Sequence, residues 1–221
     1  MILKKTADGS YTLYRPDIDE HYHSFHGARQ ESEHVFIHSG LKHKLEAKPS
    51  ELNILEIGYG TGYNALLSLL NNQTSCYINY TGLELYPVPT PLIQELSEKD
   101  EFIHQHKAIY LKMMNAAWDQ SVEITEHFAI SKLEVDFFKY ETPQQFNLIY
   151  YDAFGFRAQE EMWQEKLYAK TFNLAKPGAN LVTYAAKGVI RRGLEAAGWK
   201  VERLPGPPGK REMLRAQKPK E

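Results

Sequence analysis

The apolar positions fall into short runs parted by polar, glycine-rich or proline-rich stretches. Residues 52–57, LNILEI, form a nearly continuous apolar run rich in strand formers and read as a buried strand. GYGTG follows at 58–62, and then NALLSLLNN at 64–72 repeats its apolar residues at helical spacing. CYINYTGLEL (76–85) reads as a second strand. Residues 90–128 carry a mainly helical pattern, opened by PTPLIQEL and continuing through MMNAAWDQ. Three more strands are expected at KLEVDFF (132–138), FNLIYYDAF (146–154) and ANLVTYAA (179–186). The helix EEMWQEKLYAKTFNLA (160–175) lies between the last two and is stopped by Lys176, Pro177 and Gly178. GVIRRGLEAAG (188–198) is a further helix closed by Gly198. WKVERL (199–204) and REMLRA (211–216) are strands on either side of the turn PGPPG.

Strands alternating with helices call for a mostly parallel sheet covered on both faces. Two final strands joined by a short turn pair most simply antiparallel. The expected fold class is therefore α/β, Rossmann-like, with a C-terminal antiparallel hairpin. Ligands of such sheets sit at the carboxyl ends of the strands. Residues 1–50 are polar and aromatic, without an assigned element. They are expected to be an N-terminal extension packing on or near the substrate site of a 51–221 domain.

Composition narrows the class without choosing a function. With 221 residues, 43% hydrophobic and 24% charged, the chain can bury a core of its own. One cysteine, Cys76, excludes an intramolecular disulfide and agrees with a cytoplasmic setting. No apolar run approaches the roughly 20 residues needed to span a bilayer. The net charge is −2, yet ten Lys/Arg face only four Asp/Glu from Lys187 to Glu221. A basic segment on an acidic body is either an RNA footprint or a solvated tail. Six of the nine histidines lie between His21 and His43, but they form no HExxH and have no cysteine partners, so no metal is expected.

The candidate chemistry sits at strand ends. Glu56-Ile57-Gly58-Tyr59-Gly60-Thr61-Gly62 falls where a strand ends and a helix begins. Glycines there permit a tight turn and a close ligand. Their G-x-G-x-G spacing differs from the G-x-G-x-x-G of dinucleotide folds, and the acid Glu56 suits the cationic methionine end of S-adenosylmethionine. Glu84, 22 residues beyond Gly62 at the tip of the second strand, is placed to bind ribose hydroxyls, which NAD and S-adenosylmethionine share. Asp136 is either an adenine acceptor at a third strand end or an ordinary loop acid. Asp152 ends a very apolar strand and should project beside the cofactor, where a carboxylate can hold an amine. Phe154 and Phe156 either stack on a base or belong to the core, and Trp163 reads as packing.

These residues resemble a known family. LEIGYGTGYNALL, YYDAFGFRAQEEMWQEKLY and the stretch from LAKPGANLVTYAAKG through KREMLRA resemble the tRNA (5-aminomethyl-2-thiouridine) methyltransferase family, one half of a bifunctional wobble-uridine enzyme. Tyr22-His23-Ser24 and Glu31-Ser32-Glu33-His34-Val35-Phe36 fit it as well. The resemblance covers roughly residues 20 to 217. It implies S-adenosylmethionine as cofactor and tRNA as partner. It also implies Glu56, Gly58, Gly60 and Gly62 as the cofactor loop, Glu84 for the ribose and Asp136 for the adenine. Asp152 would face the substrate amine; Ser24, Glu31 and Phe154 would lie on the substrate side, and Lys210 and Arg211 at the entrance toward RNA. The family often has Gly after the strand-four Asp and Pro soon after the Phe, where this chain has Ala153 and Phe156-Arg157. The chain is expected to stand without the flavin-dependent oxidase half.

The implied reaction is an SN2 methyl transfer to a primary amine. Proximity and line-up dominate such a step and can supply about 7–11 kcal/mol. The rivals are a small-molecule methyltransferase, a catalytically silent cofactor- or RNA-binding protein, and an NAD oxidoreductase.

Overall fold

A computed structural model describes residues 1–220. The N-terminal stretch, read from sequence without elements, is folded. β1 (Ile2–Lys5), β2 (Tyr11–Arg15) and β3 (Glu20–His21) make a small antiparallel sheet. These strands are two to five residues long, and of their positions only Thr12 and Leu13 are buried, so they carry no alternation to read. α1 (Ala28–Ser32) runs straight into π-helical turns over Glu33–Lys42 and then α2 (His43–Leu45). Val35, Phe36, Ile37 and Leu41 of this rod are buried in the main core. Gly40 lets the rod close on the sheet, since a Cβ there would lie 3.1 Å from Val182 and 3.2 Å from Tyr150.

The rest of the chain builds the central sheet. β4 (Glu51–Ile57), α3 (Tyr63–Asn71) and β5 (Tyr77–Glu84) come first, followed by α4 (Thr90–Lys99), α5 (Glu101–Gln105) and α6 (Lys107–Met114). Next are β6 (Ser121–Thr125), β7 (Phe128–Glu134), β8 (Phe146–Tyr151) and α7 (Glu165–Leu174), then β9 (Ala175–Thr183), α8 (Gly188–Ala196), β10 (Lys200–Pro205) and β11 (Glu212–Gln217). The sheet order is β10-β11-β9-β8-β4-β5-β7-β6. β9, β8, β4, β5 and β7 are parallel, while β6 pairs antiparallel with β7. β11 pairs antiparallel with both β9 and β10, which makes the expected C-terminal hairpin.

Two corrections to the sequence reading concern residues 90–134. The helical pattern there is three short helices, and it ends at Met114 rather than near residue 128. Asp100 breaks the run: its Oδ1 accepts the N–H of Ile103 at 3.0 Å to cap α5, and its Oδ2 accepts the N–H of Tyr11 at 2.9 Å. Asp119, at φ 59°, then turns the chain into β6. β7 starts at Phe128, ahead of the expected Lys132, because Phe128 already pairs with Ile78.

Alternation on the middle strands divides the core. Ile54, Leu148 and Tyr150 face a cluster with Phe36, Leu66 and Ile78. Leu55, Ile57, Ile149 and Tyr151 face the other, with Trp163, Leu167 and Leu194. Strands buried on both faces need continuous apolar runs, which is what LNILEI and FNLIYY supply.

After β4 the chain crosses to β5 on one side, while β8 lies on the other. The reversal opens a crevice at the carboxyl ends of β4 and β8. Gly58 and Asp152 sit across it. At φ 91°, a Cβ on Gly58 would lie 2.5 Å from the backbone oxygen of Asp152. Gly9 has a similar φ of 87° with nothing within 4 Å. Gly9→Ala should therefore cost only the left-handed conformation, about 1–2 kcal/mol. Gly58→Ala should cost clearly more in urea unfolding, because backbone must also move. Equal losses would show that the loops are not in contact.

Candidate active site

The crevice is a pocket with a cavity volume of about 190 Å³, walled by the glycine loop, the ends of β5, β7 and β8, and the N-terminal Tyr22 and His23. The loop turns on positive φ at Gly58, Gly60 and Gly62 (91°, 50° and 72°), and Gly62 is the N-cap of α3. The N–H groups of Gly58 and Tyr59 donate to the carbonyl of Leu83, fixing the loop to β5.

Glu84 lies at the tip of β5 and lines the pocket. Its carboxylate accepts from the N–H of Gly60 and the N–H of Tyr86, each at 2.9 Å. Burial raises its pKa, against the lowering pull of those N–H groups. Asp136 also lines the pocket, just beyond β7, with Val135, Phe137 and Phe138 beside it. Its Oδ1 accepts from the N–H of Phe138 at 2.9 Å. An acid at the tip of β5 and an acid amid apolar walls suit a nucleoside.

Glu56 is fully buried and does not line the pocket. It accepts from the Tyr80 hydroxyl at 2.7 Å and from Asn64 Nδ2 at 2.8 Å. Burial holds its pKa well above the carboxylate range, and Asp152 adds to that. The same Nδ2 donates to Asp152 Oδ2 at 2.8 Å, so one amide joins the two acids. Gly62 likewise shapes the turn from behind the pocket wall.

Asp152 follows β8 and faces the pocket. Burial pushes its carboxyl up to about 8; the Glu31 charge adds to this, while Asn64 and Lys210 oppose it. Phe154 lines the pocket, with its ring 5.0 Å edge-on from Tyr22. Its carbonyl accepts from the buried Trp163 indole N–H at 2.8 Å.

The substrate-side residues are less uniform. Glu31, 5% exposed, accepts from the N–H of Ser24 at 3.1 Å and forms an ion pair with Lys210. The Ser24 hydroxyl accepts from the N–H of His26, and Ser24 does not line the pocket. Lys210 turns inward, its Nζ 3.7 Å from the centre of the Tyr184 ring, whereas Arg211 beside it is exposed.

His23 and Asn64 stand at the site although the sequence assigns them no role there. His23 Nε2 lies 3.0 Å from Thr61 Oγ1 in the glycine loop, and burial lowers the imidazole to about 4, which keeps it neutral. The only available signal for Asn64 was its place in the first turn after the glycines. Among the described residues, no group of three or more His, Cys, Asp or Glu converges as a metal site. No described helix is long and apolar enough to cross a membrane.

Comparison with known proteins decides the class. A family model described as S-adenosyl-L-methionine-dependent methyltransferase matches residues 97–219, more than half of the chain. The chain belongs to that family. This methyltransferase is similar to the tRNA 5-methylaminomethyl-2-thiouridine biosynthesis bifunctional protein MnmC of Magnetococcus marinus, 27% identical over 92% of the chain and 32% of that protein. It is similar to the protein of the same name from Pseudoalteromonas atlantica, 29% identical over 94% of the chain and 32% of that protein. The chain thus spans about a third of the length of the curated relatives it matches. Among solved structures, MNMC2 from Aquifex aeolicus shares the fold with a TM-score of 0.73 at 22% identity, covering 97% of this chain and 69% of that one. The methyltransferase uses S-adenosylmethionine, and its pocket fits that cofactor. The positive-φ loop lets a ligand approach the backbone, and the Glu84 and Asp136 carboxylates face an apolar-walled cleft.

Two outcomes follow for the site. Glu84→Gln keeps an acceptor for one backbone N–H and removes the charge, so S-adenosylmethionine affinity should fall by about 1–3 kcal/mol. Calorimetry showing unchanged affinity would take Glu84 out of the site. For Asp152, the folded value near 8 lies above the ordinary 3.8, so the folded chain holds the proton more tightly. Its contribution is fully present below the ordinary range and is lost as pH rises through about 8. Relative to Asp152→Asn, the wild type should lose thermal stability between those limits, and parallel melting curves across that span would refute the shift.

Proposed function

We propose that the methyltransferase transfers a methyl group to the primary amine of 5-aminomethyl-(2-thio)uridine at the tRNA wobble position, in the cytoplasm. The observation carrying the reading is Asp152: a pocket-facing carboxyl with Oδ2 held by Asn64, raised to about 8, beside the glycine loop. The similarity to the MnmC proteins supports the choice of tRNA.

An aminomethyl group arrives as an ammonium and must lose a proton before its nitrogen can attack. An ordinary carboxylate would hold that proton on the amine, because a nearby negative charge favours the cation. The ionised form of Asp152 is a stronger base than an ordinary carboxylate, better matched to operating pH, and it is this form that takes the proton on its free oxygen. Glu84, Asp136 and the glycine loop hold the cofactor. Phe154 and Tyr22 form an aromatic wall on the side of the base. S-adenosylmethionine supplies the electrophilic methyl group on its sulfonium. Asn64 keeps Asp152 aimed, so positioning carries most of the rate.

The test is methyl transfer to tRNA bearing 5-aminomethyluridine, read by nucleoside chromatography. Asp152→Asn should lower the rate by about 10²–10⁴-fold and leave S-adenosylmethionine affinity close to the wild-type value. Methylation of small amines in place of this tRNA would overturn the substrate, and equal loss of both functions would make Asp152 a cofactor ligand.

A further inference from the structure

The turn between β10 and β11 carries two adjacent basic residues that behave differently. Arg211 is exposed. Lys210 reaches back to Glu31 and lies over the Tyr184 ring, as a cation on an aromatic face. The Tyr184 hydroxyl donates at 2.8 Å to the carbonyl of Ala153, the residue after Asp152. Glu31 is buried and held by the N–H of Ser24. Segments 179 residues apart are thus closed on each other beside Asp152.

We propose that Lys210 is a positioning residue that keeps Glu31 in a closed ion pair, so that the incoming amine meets one carboxylate, Asp152, rather than two. The proposal rests on the amine-methylation reading above. A bare Glu31 would be a second acid near the pocket. It would bind the substrate as an ammonium and keep the nitrogen protonated, which blocks attack. Paired with Lys210, Glu31 is spent. The pair also balances itself around Asp152: Glu31 favours its protonated form and Lys210 its ionised form.

The other groups facing this region leave that balance intact. Asn64 on α3 presents a neutral amide, with Glu56 of β4 behind it. His23 is neutral, and burial raises the hydroxyls of Tyr22 and Tyr184, which stay protonated. Glu84 shares the pocket but is committed to the N–H groups of Gly60 and Tyr86. Glu20, whose carboxylate would be 3.3 Å from a Cβ on Gly155, accepts from the N–H of His21.

The experiment compares Glu31→Gln, Lys210→Met, Lys210→Arg and the Glu31→Gln/Lys210→Met double variant, with Arg211→Ala as a contrast. Methyl transfer to 5-aminomethyluridine tRNA is measured across pH. Lys210→Met should lose at least about tenfold in kcat and shift the apparent pKa of the rate upward. The double variant should recover most of that loss, because the uncompensated charge is gone. Lys210→Arg should stay near wild type. In tRNA binding across a salt series, Arg211→Ala should flatten the slope of log affinity against log salt by about 0.7–0.9, while Lys210→Met leaves it unchanged. A double variant no better than Lys210→Met, or a salt slope lowered in Lys210→Met, overturns the proposal and makes Lys210 a phosphate contact. A ligand-free measurement separates this from the substrate reading: the Asp152 midpoint, taken from pH-dependent unfolding of each variant against its Asp152→Asn partner. It should move down in Glu31→Gln and up in Lys210→Met. If the wild type leaves the tRNA unmethylated, the substrate reading falls. Those opposite shifts then still support the ion-pair balance, and unshifted midpoints overturn it.

Discussion

One side-chain amide stands between two acids. Asn64 Nδ2 donates one proton to Glu56 and the other to Asp152, so a single residue of α3 ties the end of β4 to the end of β8. Two buried carboxyls close together disfavour each other's ionised forms. The amide makes their approach tolerable without neutralising either with a cation. An acid that stays partly protonated near neutral pH is a poor permanent charge and a good transient acceptor. The turn above Glu56 has to be glycine because the loops are drawn this tightly, with Gly58 leaving no room for a Cβ against Asp152.

What was legible in the sequence was what is encoded locally. LNILEI followed by GYGTG announces a buried strand, a tight turn and a helix within some twenty residues. Glu84, Asp136 and Asp152 were identified because each closes an apolar run, and all three line the pocket. Glu56 was legible as part of the motif but not in its position, because a motif does not say whether an acid faces a ligand or the core; the answer is set by Tyr80, 24 residues away.

The missed features share a different cause. The N-terminal sheet is short and polar, held by contacts such as the Tyr11 N–H on Asp100, 89 residues on, and no local pattern marks it. β6 carries no strand signal of its own, because SVEIT is a five-residue edge strand with one buried residue, Ile124. The inward turn of Lys210 was invisible, since a lysine beside an arginine in a basic segment gives no sign that one is exposed and the other paired. His23 reaches the glycine loop for the same long-range reason.

The position of β11 bears on how the molecule assembles. β10 precedes β11 in the chain but has β11 as its partner, and β11 alone joins it to β9. β10 therefore has no docking edge on the parallel sheet until the strand after it has been made and inserted. The glycine loop, Glu84 and Asp136 lie at the ends of β4, β5 and β7, all of which precede β10 and β11 in the chain. The lining of the cleft therefore draws no residue from the hairpin. The ion pair of Lys210 with Glu31 does need the hairpin, so a disturbance at this edge of the sheet reaches the charges beside Asp152 while every residue of the cleft lining stays in place.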